Sequence, residues 1–335
     1  MVQEILTNLY KMEIPLTGSP LRALNAYVIK GAERHLVVDT GWNRKESMDA
    51  MLAGLKKIDV ALDKTDFFIT HLHVDHIGLV SSLIMGETKV YFNRKEAAGL
   101  KGGIPWRPET RYAVMSGFPE KDIESLIRNH PGVKYDLKDP LAFALLDHEE
   151  RLRVGDFEFT AIETPGHTRG HMCLYEPEKK ILLAGDHLLS DITPNIQLWS
   201  EDGNPLKDYL GSLDRVGDYD VGLVLPGHGE IFGDCKKRIV ELKRHHQERL
   251  NEILTILGKG EKTGFQLASA MTWDIPLEYK SWDALPVQQK WFATGEANSH
   301  LRYLEEEGSV SREVRAGKIF YGLPPEPPVT AGKVC

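Results

Sequence analysis

Residues 66–80 read DFFITHLHVDHIGLV: an apolar run, four polar side chains within six residues, then a second apolar run. DFFIT has the β-branched and aromatic content of a buried strand, and HIGLVSSLI has helical spacing. His71 and His73 therefore leave the carboxyl end of a strand two positions apart, where side chains point the same way and both imidazoles can reach one cation. Asp75 and His76 follow in the turn and the first helical turn, placed for a second cation beside the first. Imidazole and carboxylate are the ligands expected for zinc, iron or manganese, and the set contains no thiolate. A hydrated loop would explain one histidine at such a place, but not a His-x-His-x-Asp-His block.

Three further strand ends carry the same signature. Thr164-Pro-Gly-His167 follows FEFTAIE, Gly185-Asp186 follows KKILLA, and Pro226-Gly-His228-Gly follows VGLVL. Each puts one ligand-capable side chain directly after an apolar strand, beside a glycine that lets the backbone turn tightly. Sites in open α/β sheets gather at the carboxyl ends of strands, so all four segments point to one edge. His171 and His187 each adjoin such a residue and are expected to be hydrogen-bonded structural groups. His35, His130, His148, His245, His246 and His300 stand in no motif and are read as surface or core residues.

Around these segments the chain alternates short strands (LNAYVIKG, HLVVDTG) with helical patterns (NRKESMDAMLAGLKKI), an α/β rhythm that closes near Gly233. Residues 94–149, rich in Gly, Pro and charge, read as an insertion; Trp106, Tyr112, Met115 and Phe118 offer either a lid over an apolar ligand or ordinary packing onto the core. Residues 236–258 read as a connecting amphipathic helix, with Ile239, Leu242, Leu250, Ile253 and Leu257 at helical spacing. Residues 259–322 read helix, helix, hairpin, which is the layout of a winged helix. The Pro-rich residues 323–335 read as a loose tail.

Composition excludes several classes. The chain has 335 residues, 41% of them hydrophobic, and a formal net charge of −8, so it has no general attraction for phosphate backbones or anionic membranes. Cys173, Cys235 and Cys335 form no Cys-x-x-Cys pair, which argues against a disulfide framework and fits a reducing cytoplasm. The first residues lack a signal-peptide pattern, and no apolar run is long enough to span a bilayer. The chain is expected to be soluble.

The motifs VVDTG, HLHVDH, TPGHTRGH, AGDH and LPGHG, in this order over roughly residues 20–233, resemble the metallo-β-lactamase superfamily. The resemblance implies a four-layer αβ/βα sandwich as catalytic domain over residues 1–235, here followed by the small winged-helix-like domain. It implies two divalent metal ions, zinc first and iron or manganese next. His71, His73 and His167 would hold one, Asp75, His76 and His228 the other, and Asp186 would bridge them. Asp39, ending HLVVDTG, would support the ligand loops by hydrogen bonding, as carboxylates behind imidazole ligands do.

Enzymes of this superfamily that open β-lactams commonly have a cysteine ligand and lack the histidine after the aspartate. Asp186 and His76 instead resemble type II glyoxalases, lactonases and ribonuclease Z. The expected chemistry is attack by a metal-bound hydroxide on a thioester, lactone or other carboxylic ester, with Asp75 moving a proton for the leaving group. The alternative is a phosphodiesterase acting on single-stranded RNA. Against it, residues 286–322 carry five basic residues (Lys290, Arg302, Arg312, Arg315, Lys318) and five glutamates, no net charge where a nucleic-acid reader needs a basic face. The expected partner is a small acyl substrate and not a membrane, with nucleic acid left to the alternative reading, and the winged helix is assigned to packing, a lid or homodimerisation. A persulfide dioxygenase with one iron, or an interaction protein that lost its chemistry, would fit the motifs less well.

Overall fold

The strand Ala23–Ile29 is buried on both faces, and its alternation sets the layering. Leu24, Ala26 and Val28 enter one apolar cluster with Val37, Met51, Leu55 and Phe67. Tyr27 and Ile29 enter another with Leu36, Val38, Phe68, Phe159 and Leu174. A period of two that is apolar on both faces belongs to a sheet covered on both sides. The computed structural model describes residues 1–100, 110–130, 141–273, 279 and 281–325.

The first sheet runs β1 (Val2–Leu6), β2 (Leu9–Pro15), β3 (Ala23–Ile29), β4 (His35–Val38), β5 (Thr65–Phe68), β6 (Val90–Asn93) and β7 (Ala144–Leu146), in that order. Pairing is antiparallel from β1 to β4 and parallel from β4 to β7. The second sheet contains β8 (Arg151–Val154), β9 (Phe157–Glu163), β10 (Met172–Glu176), β11 (Ile181–Gly185) and β12 (Leu223–Pro226), ordered β12-β11-β10-β9-β8. Only β11 and β12 pair in parallel. Leu36, Val38 and Phe68 of the first sheet share a cluster with Phe157, Phe159, Leu174 and Leu183 of the second, so the sheets pack face to face. Met51 and Leu55 of the helix Lys45–Lys57 cover the first sheet's other face. This is the mixed α/β sandwich expected from the sequence.

Two compact units divide the chain, one comprising Met1–Pro108, Glu124–Ile196 and Pro205–Arg244, the other Glu109–Ile123, Gln197–Asn204 and His245–Cys335. The division falls inside the helix Cys235–Leu257, which the sequence reads as a connector, and the second unit draws on three separate stretches of chain. Within it the helices Gly264–Ala270 and Val287–Glu306 precede the hairpin β13 (Ser311–Arg315) and β14 (Lys318–Gly322). Thr263 and Gln266 form a reciprocal capping box at the first helix. Ala316 and Gly317, at φ 48° and 76°, make the hairpin's two-residue turn, whose geometry needs positive φ at both positions.

The segment read as one insertion is not a single body. Arg94–Leu100 is a helix of the first unit, and β7 pairs with β6 at the edge of the first sheet. Phe118 belongs to the second unit, where its ring lies 5.2 Å from Trp291, 5.5 Å from Phe265 and 6.2 Å from Trp199. Trp199 and Trp291 stack at 3.5 Å, and Tyr112 is also fully buried. Tyr112 and Phe118 are therefore buried in this unit: an aromatic signals burial but not which surface buries it. Met115 is half-buried, and Trp106 lies outside the described residues.

Candidate metal centre

β4 and β5 of the first sheet, and β9, β11 and β12 of the second, end at the same edge and deliver the ligand-capable residues there. His71 and His73 follow β5, and His73 is the cap of the short helix Val74–Ile77, which carries Asp75 and His76. His167 follows β9, Asp186 follows β11 and His228 follows β12. All seven residues proposed from the sequence meet, in three groups whose ligand atoms lie within 4.8 Å of one another: His71, His73 and His167; His71, His76 and Asp186; Asp75, His76 and His228.

In the three-histidine group, His73 Nδ1 is 3.0 Å from His71 Nε2 and 3.0 Å from His167 Nε2. The outer nitrogens show which atoms carry lone pairs. His167 Nδ1 donates to the Asn195 carbonyl at 2.9 Å, leaving Nε2 unprotonated. Asp39 can only accept, so the Thr70 hydroxyl donates to it (2.9 Å), and the Thr70 oxygen in turn accepts from His71 Nδ1 (3.0 Å). His71 Nε2 is then also a bare lone pair. Burial and the neighbouring imidazoles of His76, His73 and His167 hold His71 well below the usual histidine range, and burial with His167 brings His73 down to about 3. These are neutral imidazoles, ready for a cation.

The other group balances charge. His76 Nδ1 donates to Asp39 (2.7 Å) and His228 Nδ1 to the Ala23 carbonyl (2.8 Å), so both present Nε2 to the carboxylates. His76 Nε2 lies 3.5 Å from Asp186 Oδ1; His228 Nε2 lies 3.6 Å from the same oxygen and 3.5 Å from Asp75 Oδ2. Asp186 Oδ2 lies 3.6 Å from His167 Nε2, so this one carboxylate reaches both groups. Burial opposes charge on His76, but Asp39 and Asp186 outweigh it and raise its pKa well above the ordinary value; Asp186 and Asp75 do the same for His228. Burial likewise opposes charge on the two carboxylates, and the histidines outweigh it and lower both.

The residues fit a metal. His76 Nε2, Asp186 Oδ1 and His228 Nε2 are all buried with no hydrogen-bond partner. Unmet polar atoms of this kind cost about 1–3 kcal/mol each, and one set of cations would satisfy all three. All the donor atoms are nitrogen or oxygen, as zinc, iron and manganese accept.

Several supports were not legible as such. Asn25, a polar residue inside an apolar strand, donates from Nδ2 to the carbonyls of Pro226 (3.1 Å) and Gly229 (2.8 Å), and the Tyr27 hydroxyl also donates to Pro226 (2.8 Å). The first sheet thus clamps the loop that carries His228. His171, expected to be structural, uses both ring nitrogens: Nε2 accepts from the Asp186 amide (3.1 Å) and Nδ1 meets the Thr164 hydroxyl (2.7 Å). His187 is buried edge-on to Tyr209 and belongs to none of the three groups. The Cys173 thiol is pushed up to about 12 by burial, so it is no thiolate nucleophile.

Asp39 stands at φ +59°, a left-handed conformation that costs an ordinary residue about 1–3 kcal/mol. Its carboxylate accepts from the Thr70 amide (2.9 Å) and hydroxyl and from His76. Asp39→Ala is therefore expected to weaken metal binding by about 10–100-fold, read by competition with a chelator. Unchanged affinity would show that Asp39 plays no part in the centre.

A two-sheet α/β sandwich with paired imidazole and carboxylate groups at one edge defines a metallo-hydrolase class of fold and site. The chain belongs to the metallo-beta-lactamase superfamily, whose family model matches residues 20–228. A probable metallo-hydrolase of Bacillus subtilis, YqjP, is 24% identical over 315 residues, covering 88% of this chain and 92% of its own. The acyl-coenzyme A thioesterase MBLAC2 of Gallus gallus is 28% identical over 217 residues, covering 62% of this chain and 73% of its own. Among solved structures, a metallo-beta-lactamase family protein of Thermus thermophilus, TTHA1429, aligns with a TM-score of 0.76 at 29% identity, covering 96% of this chain and 100% of that one.

Proposed function

We propose that this chain hydrolyses a thioester, lactone or other carboxylic ester using two divalent cations, zinc before iron or manganese. The observation that carries the proposal is Asp186, a buried carboxylate within 3.6 Å of histidines from both groups. When bound, the cations supply a water of lowered pKa and polarise the substrate carbonyl. His71, His73 and His167 would hold one; Asp75, His76 and His228 the other.

The chain's own groups do the remaining work. Asp39 and Thr70 fix the tautomers of His76 and His71, so that Nε2 of each faces inward. Asp75 is more open to solvent than Asp186 (side-chain exposure 17% against 9%), which suits it to take the proton that the attacking water gives up and return it to a departing thiolate or alkoxide. The name of the MBLAC2 relative supports acyl over phosphoryl chemistry, as does the uncharged balance of residues 286–322. We assign the helix, helix, hairpin stretch to a winged helix that packs or dimerises, without a nucleic-acid partner. A cytoplasmic setting fits the free cysteines Cys173 and Cys235, and no helix among the described residues is long and apolar enough to cross a membrane.

Metal analysis of purified protein, followed by a panel of thioesters, lactones and phosphodiesters, tests the reading. Two divalent ions per chain are expected, with kcat/KM at least about tenfold higher on the best acyl substrate than on any phosphodiester, a gap of about 1.4 kcal/mol in barrier. Faster phosphodiester cleavage would exchange the acyl reading for the nuclease one. A single iron per chain would favour a persulfide dioxygenase.

A further inference from the structure

The three-histidine group depends on two loops distant in sequence, residues 71–73 and 164–171, and one side chain from a third place touches both. Glu96 sits on the helix Arg94–Leu100, is 1% exposed, and accepts from the Leu72 amide at Oε2 (2.7 Å) and from the Gly170 amide at Oε1 (2.6 Å). Leu72 lies between His71 and His73; Gly170 lies three residues after His167. A buried carboxylate that spends one oxygen on each of two backbone amides fixes the distance between the loops that own them.

Gly170 makes the approach possible. A Cβ there would stand 2.5 Å from Asn93 Oδ1, 2.9 Å from Glu96 Cγ and 3.0 Å from the Glu96 amide nitrogen, which is backbone and cannot swing aside. The absence of a side chain at 170 and the buried carboxylate at 96 are therefore two halves of one joint. The other ligands are held elsewhere: His76 by Asp39, and the His228 loop by Asn25 and Tyr27.

We propose that Glu96 is a positioning residue for the centre: it sets the spacing of His71, His73 and His167 by joining their two loops, and so governs cation affinity at that group rather than at Asp75, His76 and His228. The inference rests on the two-cation reading above.

The test uses the full chain with zinc as probe, in the wild type and in Glu96→Ala, Glu96→Gln and Gly170→Ala. Zinc stoichiometry and affinity come from chelator competition, and hydrogen exchange is followed on the zinc-free protein. The wild type is expected to bind two zinc ions. In Glu96→Ala one of the two should weaken by about 10–100-fold while the other holds. Exchange should rise in segments 71–73 and 167–171 and stay unchanged in 226–229. Glu96→Gln keeps one accepting oxygen and should recover part of the affinity; Gly170→Ala keeps the carboxylate but forces the loop away, and should match Glu96→Ala. Should Glu96→Ala fail to fold, Gly170→Ala decides alone. Two zinc ions at wild-type affinity in either folded alanine variant would overturn the role of Glu96. A wild type that binds no divalent metal would instead remove the two-cation reading itself.

Discussion

Asp186→Ala is expected to abolish turnover, lowering kcat/KM by about 1000-fold or more, equivalent to about 4 kcal/mol of barrier. Asp186 alone among the seven residues has oxygens near both groups: Oδ1 beside His76 and His228, Oδ2 beside His167. Without it, the inward-facing Nε2 atoms of His76 and His228 keep only Asp75 beside them, while Asp39 stays on the outer nitrogen of His76. Metal content should fall from two ions per chain to one or fewer, as mass spectrometry of the purified protein would show. The fold should survive, because a small polar side chain at the sheet edge gives way to a smaller one, and far-ultraviolet circular dichroism checks this. Substantial turnover by the folded variant would refute a metal-centred mechanism.

Gly227→Ala should do nearly as much damage by adding one methyl group. A Cβ at 227 would stand 2.6 Å from Asp186 Oδ1 and 2.9 Å from His76 Cε1, closer than carbon atoms approach without displacement. Neither neighbour can yield freely, since His76 is tied to Asp39 and the Asp186 amide to His171. A misplacement of reacting groups by about 1 Å can cost about 100-fold, and that is the expected fall in kcat/KM, with metal affinity reduced alongside it. Gly211→Ala is the matched control: it lies in the helix Pro205–Gly217 with open space around the added carbon, and should keep activity while gaining up to about 1 kcal/mol of stability. Wild-type metal content and turnover in Gly227→Ala would mean that Asp186 and His76 are not held where the structure places them.

The candidate ligand residues were legible because each obeys a local rule. His71 and His73 stand two apart at a strand end, and His167, Asp186 and His228 each follow an apolar strand next to a glycine. Strand alternation likewise announced the buried sheets: LNAYVI alternates between two apolar clusters as a period of two requires. The second unit was harder to read. Phe118 announces burial by its chemistry, yet its neighbours Trp199, Phe265 and Trp291 come from remote parts of the chain, so the sequence could not say what surface would bury it.

The supports of the centre were the least legible part. Asn25 reaches a carbonyl 201 residues away, and Glu96 joins amides 24 residues before it and 74 after it. Nothing local marks such pairs, because a buried carboxylate or amide is satisfied by whichever backbone groups the packed sheets bring to it. The sequence by itself determined which side chains could bind a cation and that they sit at strand ends, since both follow from residue type and short-range periodicity. Only the tertiary structure decided that they meet, that Asp186 reaches both groups, and which buried polar residues hold the loops in place. Those outcomes depend on how the two sheets pack against each other, and packing brings together residues that no spacing along the chain relates.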